Sequence, residues 1–187
     1  MQNKIAKFHK VSQQEYISAM RGIGALITDD KIKEIWDEIK LPKRATVGSC
    51  GYDIFAPFSF SLKDGEELMI PTGIRCEMEP GWALLIHSRS GLGTKHYLRM
   101  ANCTGLIDGD YFHADNEGHF YAKVRNESGN PKNVAKIVRG QAFVQGCFMP
   151  FGITVDDYTT GIRTGGHGHS DEKMADIEEM ELERFHE

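Results

Sequence analysis

Four short patches of this sequence combine glycines with charged or hydroxyl side chains. In chain order they are Gly51–Asp53, Ser88–Gly91, Gly105–Tyr111 and Gly165–Ser170. The second patch contains Arg89, Ser90 and Gly91, a combination that suits phosphate oxygens because a guanidinium donates two parallel hydrogen bonds and flexible backbone adds N–H donors. Three residues alone are weak grounds for a phosphate site, so the patch is only a candidate.

The third patch places an acid directly after two apolar residues. Leu106, Ile107 and Asp108 predict a strand that ends in an aspartate at a turn. One interpretation is that Asp108 caps the turn with its side chain. The other is a carboxylate held at the rim of a pocket, where it can take a proton from water. The spacing alone favours the capping interpretation.

The fourth patch is dense in glycine and histidine. Glycines in this number allow backbone N–H groups to turn towards an anion. His167 and His169 could instead bind a metal, but no third ligand lies in the same segment, which argues against a metal site. A solvated loop is the remaining interpretation.

Two helices are predicted before residue 42. Residues 4–11 resemble a short strand, and Ser12 then opens the S-x-x-E pattern of a capping box, in which the Ser12 hydroxyl and the Glu15 carboxylate satisfy the first N–H groups of a helix at about 13–21. A second helix begins near Asp29 or Asp30, and its apolar residues recur at helical spacing until Leu41-Pro42. The apolar face of this pair must pack against the domain's own sheet or a neighbouring subunit.

From residue 50 the pattern changes to short apolar runs separated by turn residues. Asp64-Gly65, Pro80-Gly81 and Gly129–Pro131 are the predicted turns. Many short strands at intervals of roughly ten residues are typical of a sandwich, jelly roll or barrel. The fold class predicted is therefore all-β.

Composition narrows the possible partners. The chain has 187 residues and a formal net charge of -5, which suits one globular domain without the broad basic surface that nucleic acid requires. A small phosphorylated ligand needs only a few local cations. No apolar run is long enough to span a bilayer and no signal peptide is recognisable, so a cytoplasmic protein is expected. Four cysteines without C-x-x-C spacing indicate reduced thiols.

Taken in order, the patches resemble the five motifs of the trimeric dUTPase family over roughly residues 41–170. The matching stretches are Gly51–Ile54, Ser88–Leu92, Gly105–Tyr111, Gly140–Gln145 and Arg163–Ser170. The resemblance implies a distorted jelly-roll or β-clip barrel with a helical insertion at 12–40. It further implies a single domain over 1–170 with a mobile glycine-rich arm at 159–170, followed by an acidic tail at 171–187.

The resemblance also implies an activity, the hydrolysis of dUTP to dUMP and pyrophosphate, which keeps uracil out of DNA and supplies dUMP for thymidylate synthesis. Asp108 would be the general base for the attacking water. Tyr111 would pack under the deoxyribose and exclude a 2′-hydroxyl, and Asn102 would hydrogen-bond uracil.

Further roles follow from the same resemblance. Mg²⁺ would be supported through water by Asp53 and Gln145 and otherwise bound by substrate phosphates, in a homotrimer whose subunits share the sites. The remaining residues expected to bind substrate are Arg89, Ser90, Gly91, Gly105, Ile107, Gln145, Arg163, Gly165, Gly166, His167, Gly168, His169 and Ser170. In the family the position of His167 carries a phenylalanine that stacks on uracil. An extra loop, residues 112–117, separates Tyr111 from Gly118.

The sequence leaves three rival functions to consider. A dCTP deaminase shares the fold but needs a glutamate in the strand after the third motif, where Phe120–Asn126 contains no acid. A non-catalytic nucleotide sensor on the same scaffold would bind dUTP without releasing pyrophosphate. A purely structural jelly-roll module would leave Asp108, Asn102 and Tyr111 without a purpose.

Overall fold

The computed structural model of the chain describes residues 3–163 and 165. Eleven strands lie within these residues. They are Ala6–Lys10 (β1), Lys43–Arg44 (β2), Tyr52–Phe55 (β3), Phe60–Lys63 (β4), Glu67–Met78 (β5), Trp82–Ser88 (β6), Leu98–Met100 (β7), Thr104–Ile107 (β8), Phe120–Asn126 (β9), Val134–Ile137 (β10) and Ala142–Pro150 (β11). The helices are Gln13–Gly22 (α1), Asp29–Asp37 (α2), Ser90–Lys95 (α3) and a 3₁₀ helix at Gly109–His113.

The strands form antiparallel sheets around one apolar core. Five strands pair in the order β2-β3-β11-β6-β8, four in the order β1-β5-β9-β7, and β10 pairs with β4. Both large sheets contribute fully buried side chains, among them Ile54 and Leu84 from the first and Ile70 and Phe120 from the second. The prediction of a jelly-roll-like, all-β fold is confirmed.

Helix α1 begins where its sequence predicts, but its capping box is only half formed. The Ser12 hydroxyl accepts a hydrogen bond from the Glu15 N–H at 3.1 Å, as expected. The Ser12 N–H, however, donates to the carboxylate of Glu117 at 2.8 Å, and Glu15 binds His119 instead. The prediction that Glu15 completes the box is therefore wrong. Glu117 from a distant loop takes its place at the Ser12 N–H, and the Glu15 carboxylate binds His119.

The two N-terminal helices pack on the chain's own four-stranded sheet. The β5–β9 pairing shifts register between Pro71 and Ile74, and Gly73 at this bulge has a φ of 72°. A Cβ at Gly73 would lie 2.2 Å from Ile39 Cδ1 and 3.3 Å from the Tyr16 ring. Tyr16 is completely buried in this contact. The sequence left open whether the apolar face of the helices packs on the domain's own sheet or on a neighbouring subunit. The contacts at Gly73 show that it packs on the domain's own sheet.

No helix in the described residues has the length and apolar character that a membrane crossing requires. The four cysteines are free thiols, as their spacing predicts: Cys50, Cys76, Cys103 and Cys147. The acidic segment at 171–187 lies outside the described residues.

Candidate active site

Asp108 stands at the end of an edge strand. It follows β8, whose Ile107 pairs with Leu84 on β6, and it precedes the 3₁₀ helix. Its side chain makes no capping hydrogen bond to that helix, so the turn-capping interpretation is wrong. Asp108 instead lines a cleft of about 570 Å³ together with Trp82 and Phe151.

The carboxylate of Asp108 meets an arginine from the C-terminal segment. Arg163 Nη1 donates to Asp108 Oδ2 at 2.8 Å and lies 3.6 Å from Asp110 Oδ1. The same guanidinium sits 4.7 Å from the ring centre of Tyr111, within cation–π range. Arg163 Nε donates to the Gly165 carbonyl at 3.2 Å. The start of the predicted arm therefore lies on its own chain's Asp108 and Tyr111.

Tyr111 is held by its hydroxyl as well as by its ring. Only 3% of the residue is exposed. The hydroxyl donates to the His119 carbonyl at 2.8 Å and accepts from Asn116 Nδ2 at 2.7 Å. Burial raises the pKa of Tyr111 above its ordinary value, and the hydrogen bond from Asn116 and the charge of Arg163 oppose this only in part. The phenol therefore stays neutral at physiological pH.

Asn102 and Asp108 flank β8 at opposite ends. Asn102 is exposed in the turn between β7 and β8, and Gly105 and Ile107 belong to β8 itself. The strand between the two ends spans about 13 Å. β8 pairs with β6 and is the terminal strand of its sheet as described, so the other edge of its backbone faces outwards. This edge can offer N–H and C=O groups to a flat ligand such as a base.

Arg89 and Asp53 form a second cluster. Arg89 Nε lies 3.0 Å from Asp53 Oδ1, and Nη1 donates to the Ala142 carbonyl at 3.0 Å. Gln145 on β11 stands directly opposite Asp53 on β3 and donates to the Ser88 carbonyl at 3.4 Å. A guanidinium has five N–H donors, of which these contacts use two. The cluster therefore combines a positioned cation with an amide and a carboxylate.

The neighbouring residues Ser90 and Gly91 open α3, a helix that the sequence analysis did not predict. Thr94 Oγ1 donates to the Ser90 carbonyl at 2.6 Å within this short helix. Arg89 occupies the N-cap position and makes no side-chain capping bond, since its guanidinium is directed to Asp53. The Arg-Ser-Gly patch is thus a strand-to-helix turn with its cation fixed by the adjacent strands.

Asp53 and Gln145 carry the oxygen donors that Mg²⁺ prefers. Within residues 3–163 and 165, no three His, Cys, Asp or Glu side chains group closely enough to bind a metal directly. Magnesium usually keeps several waters and binds through substrate phosphates. The pair fits a supporting role at such an ion, because it presents a carboxylate and an amide on adjacent strands.

The predicted site residues fall into two separate groups within one chain. The first group follows β8 near Leu84 on β6, whereas the second lies beyond Ser88 at the other end of β6. Leu84 and Ser88 are four rises apart, and Asp108 and Arg89 each lie one residue beyond these ends, so six rises of extended strand, or about 20 Å, separate Asp108 from Arg89 along β6. The first group contains Asp108, Tyr111 and Arg163, and the second contains Asp53, Arg89, Ser90, Gly91 and Gln145. Gly166, His167, Gly168, His169 and Ser170 lie outside the described residues.

Sequence reasoning missed the residues that hold Tyr111 in place. Asn116 lies in the extra loop and His119 follows it, and neither belongs to a motif. The presence of an amide in a loop close to a predicted site tyrosine was the only signal. No periodicity or spacing connects it to the hydroxyl that it binds.

The chain is thus an antiparallel all-β domain with Asp108 at the end of an edge strand and Tyr111 in the 3₁₀ helix that follows it. Residues 37–129 match the sequence profile of the dUTPase family. The deoxyuridine 5'-triphosphate nucleotidohydrolase of Lactococcus lactis subsp. lactis is 40% identical over 133 residues, which are 70% of this chain and 87% of that protein. The chain therefore belongs to the dUTPase family, and the resemblance drawn from its motifs is confirmed.

Solved structures agree with this assignment. The dUTPase of Streptococcus mutans is 35% identical in sequence with a TM-score of 0.57, over 65% of this chain and 92% of that chain. A dUTPase variant of phage phi11 of S. aureus, whose structure concerns the coordination of a structural Mg(II) ion, has a TM-score of 0.52 at 21% identity, over 65% of this chain and 90% of that chain. At this identity the phage protein supports the fold alone. Helix α1 lies outside the residues matched to the family.

Proposed function

We propose that this protein hydrolyses dUTP to dUMP and pyrophosphate, with Asp108 as the general base. The observation that carries the proposal is the position of the Asp108 carboxylate. It makes no capping bond to its turn, it lines a cleft, and its partner is an arginine from the glycine-rich arm. Membership of the dUTPase family supplies the substrate.

The proposed reaction is a single displacement at the α-phosphorus. The carboxylate of Asp108 takes a proton from a water molecule as the water oxygen forms a bond to the α-phosphorus. The bond between the α-phosphorus and the bridging α–β oxygen breaks, and pyrophosphate leaves. Arg163 must move from Asp108 to the phosphates, because its guanidinium occupies the Oδ2 atom that would accept the proton. The guanidinium of Arg163 would thus pair with Asp108 before substrate binds and with the phosphates afterwards.

The uracil base and the deoxyribose are recognised by β8 and by the residues at its two ends. Asn102 and the outer edge of β8, including the backbone of Gly105 and Ile107, hydrogen-bond uracil. An amide can donate to O4 and accept from N3–H, whereas cytosine presents the opposite pattern and would leave buried polar groups unpaired. Tyr111 lies under the deoxyribose and leaves no room for a 2′-hydroxyl.

The phosphates are bound by cations and flexible backbone. Arg89, Ser90 and Gly91 contribute from the second cluster, and Arg163, Gly165 and the residues from Gly166 to Ser170 contribute from the arm. Mg²⁺, supported by Asp53 and Gln145 through water, supplies charge neutralisation for the triphosphate. Positioning and charge stabilisation are the main sources of rate enhancement in phosphoryl chemistry.

The active unit proposed is a homotrimer whose sites are shared between subunits. The separation of about 20 Å between Asp108 and Arg89 along β6 exceeds the length of a triphosphate. This separation supports an arrangement in which a neighbouring copy brings its Arg89 to the nucleotide at Asp108. Closed rings satisfy this arrangement for every copy at once.

A pyrophosphate-release assay on purified protein tests the function. We expect release from dUTP in the presence of Mg²⁺, little release from dCTP, dTTP or UTP, and loss of activity on chelation of the metal. Tight binding of dUTP without release would overturn the enzymatic proposal and favour a nucleotide sensor. Ammonia from dCTP would instead favour the deaminase.

Subunit complementation tests the shared site. Asp108→Asn and Arg89→Ala chains are each expected to be inactive alone, and co-refolding them should restore activity to about a quarter of the sites in a randomly mixed ring. Two Asp108→Asn preparations refolded together are the control and should stay inactive. Inactive mixtures of the two variants would place both residues in the same chain's site. Light scattering then measures the number of subunits directly.

We place the reaction in the cytoplasm, where the four free thiols remain reduced. There, hydrolysis of dUTP keeps uracil out of DNA and yields dUMP for thymidylate synthesis.

A further inference from the structure

The hydroxyl of Tyr111 is hydrogen-bonded to the segment that follows it in the chain. It donates to the His119 carbonyl and accepts from Asn116 Nδ2, and the same amide also donates to the His119 carbonyl at 3.2 Å. Gly118 closes the segment back onto Tyr111 with a φ of 71°, and a Cβ there would lie 2.5 Å from the Tyr111 carbonyl oxygen. The position of the ring therefore depends on the conformation of residues 112–119.

Residues 112–119 are in turn hydrogen-bonded to the start of α1. The carboxylate of Glu117 accepts from the Ser12 N–H at 2.8 Å and from the Ser12 hydroxyl at 2.6 Å. His119, which is fully buried, lies with Nδ1 3.0 Å from Glu15 Oε1. All these bonds join residues more than 100 positions apart in the chain.

The tautomer of His119 follows from its two partners. Nε2 accepts from the Gly73 N–H at 2.8 Å, so the ring proton is on Nδ1 and is donated to Glu15. Gly73 is the bulge residue under Tyr16 and Ile39. His119 thus joins the sheet, the helix and the loop at one point, and a buried imidazole with both nitrogens bonded has a fixed orientation.

Arg75 on β5 contacts residues near both ends of the loop. Its Nη1 lies 3.6 Å from Glu117 Oε2, and its Nη2 donates to the Phe112 carbonyl at 2.7 Å. The guanidinium stacks 3.7 Å from the Phe112 ring centre. Phe112 is the neighbour of Tyr111, so both ends of the loop are fixed to groups that also contact α1 or β5.

We infer that the N-terminal helical segment positions Tyr111 for sugar discrimination, acting through the loop. The Tyr111 clamp consists of Ser12, Glu15, Asn116, Glu117 and His119, and its members are positioning residues that do not touch substrate. The inference rests on the proposed function, in which Tyr111 excludes ribonucleotides. A nucleotide-selecting ring that is only 3% exposed and whose hydroxyl is held by two hydrogen bonds discriminates a single hydroxyl better than a ring that can tilt.

The kinetic test compares dUTP with UTP. Asn116→Ala is expected to raise kcat/KM for UTP relative to dUTP about tenfold, the effect of one lost hydrogen bond, while kcat for dUTP changes less than about threefold. Asn130→Ala, in the loop at the opposite end of β9, is the matched control and should leave the ratio unchanged. An unchanged ratio in Asn116→Ala would overturn the inference.

A double-mutant cycle shows whether the effect passes through the hydroxyl. In a Tyr111→Phe background, Asn116→Ala should change the ratio much less, because the bond to the hydroxyl is already absent and only the bond from Asn116 to the His119 carbonyl is still lost. Additive changes would mean that Asn116 acts by another route. Glu15→Ala should reproduce the loss of discrimination, and Glu15→Gln, which keeps an oxygen acceptor for His119, should restore it. A lower Tm with an unchanged ratio in Glu15→Ala would make the clamp merely structural and overturn the inference.

A measurement without nucleotide separates this inference from the proposed function. Hydrogen exchange over residues 109–119 should increase in Glu15→Ala and remain at the wild-type level in Glu15→Gln. Unchanged exchange in both variants overturns the clamp whatever the activity. If instead the wild-type protein releases no pyrophosphate from dUTP while the exchange results hold, the proposed function fails and the mechanical link between α1 and Tyr111 remains.

Discussion

Arg163 Nη1 and Asp108 Oδ2 form a hydrogen-bonded ion pair of 2.8 Å, with 27% and 48% of the respective side chains exposed. The pair joins the start of the C-terminal arm to the proposed general base. A guanidinium at this distance occupies the Oδ2 atom and must be displaced before that atom can accept a proton from water. Binding of the triphosphate gives Arg163 a more highly charged partner, so substrate itself would release the base.

Replacement of Asp108, the proposed general base, tests the chemical step separately from substrate binding. Asp108→Asn keeps the size of the side chain and removes its basicity, so turnover of dUTP should fall by about 10²–10⁴-fold. Binding of dUTP, measured by calorimetry, should stay within a few-fold of wild type. A variant with a near-normal rate of pyrophosphate release would remove Asp108 from the mechanism.

Replacement of Arg163 tests the arm. Arg163→Ala should lower kcat about a hundredfold, because one charged donor to the phosphates is lost. Arg163→Lys keeps the charge and should recover part of the rate. Truncation after Tyr158 should inactivate the enzyme equally while light scattering finds the oligomer unchanged. Dissociation of the truncated protein would show that the arm holds the subunits together.

Removal of the phenol ring should relax sugar specificity at a cost in stability. Tyr111→Ala should admit UTP, and it should also lower the free energy of unfolding by about 3 kcal/mol because the side chain is buried. Kinetics with both nucleotides should therefore be measured well below the Tm of the variant. Undiminished preference for dUTP would contradict the steric role of Tyr111.

Acidification should loosen the attachment of α1. Burial raises the pKa of Glu117, but the two hydrogen bonds from Ser12 and the charge of Arg75 outweigh it, so the net pKa is lower than the ordinary 4.5. A lowered pKa contributes stability that is present above the unfolded value of 4.5 and is lost as pH falls through the folded value. The Tm of the wild-type protein should therefore fall more steeply below pH 4.5 than that of Glu117→Gln.

The matched control for this titration is Asp115→Asn in the same loop, where the carboxylate is exposed. Its Tm should follow the wild-type curve over the whole pH range. A Glu117→Gln curve parallel to wild type would assign the acid lability to other carboxylates.

Local patterns were sufficient for much of the fold. Gly65 and Gly81 adopt φ values of 79° and 82° at the predicted turns, which is the conformation that glycine favours there. Helix α3 was missed because two of its six residues are glycines, which are poor helix formers. It forms nevertheless, since Leu92 is buried against the core. Tertiary packing here overrides propensity.

The candidate site was predictable as a set of residues but not as an arrangement. The order of the motifs singled out Asp108 and Arg89, yet only the register of β6 with β8 and β11 reveals how far apart they lie. The pairing of Glu15 with His119 joins residues 104 positions apart. No spacing rule reaches across such a distance, so the link between α1 and Tyr111 had to be observed.

The bulge at Gly73 favours glycine for two independent reasons. Its φ of 72° strains any L side chain, and a Cβ there would also lie 2.2 Å from Ile39 Cδ1. Loss of the helical segment would remove only the second reason, so glycine would still be favoured at this position. The helical segment therefore packs where the bulge already excludes a side chain, and grafting the helices onto a relative with the same bulge would need no change there.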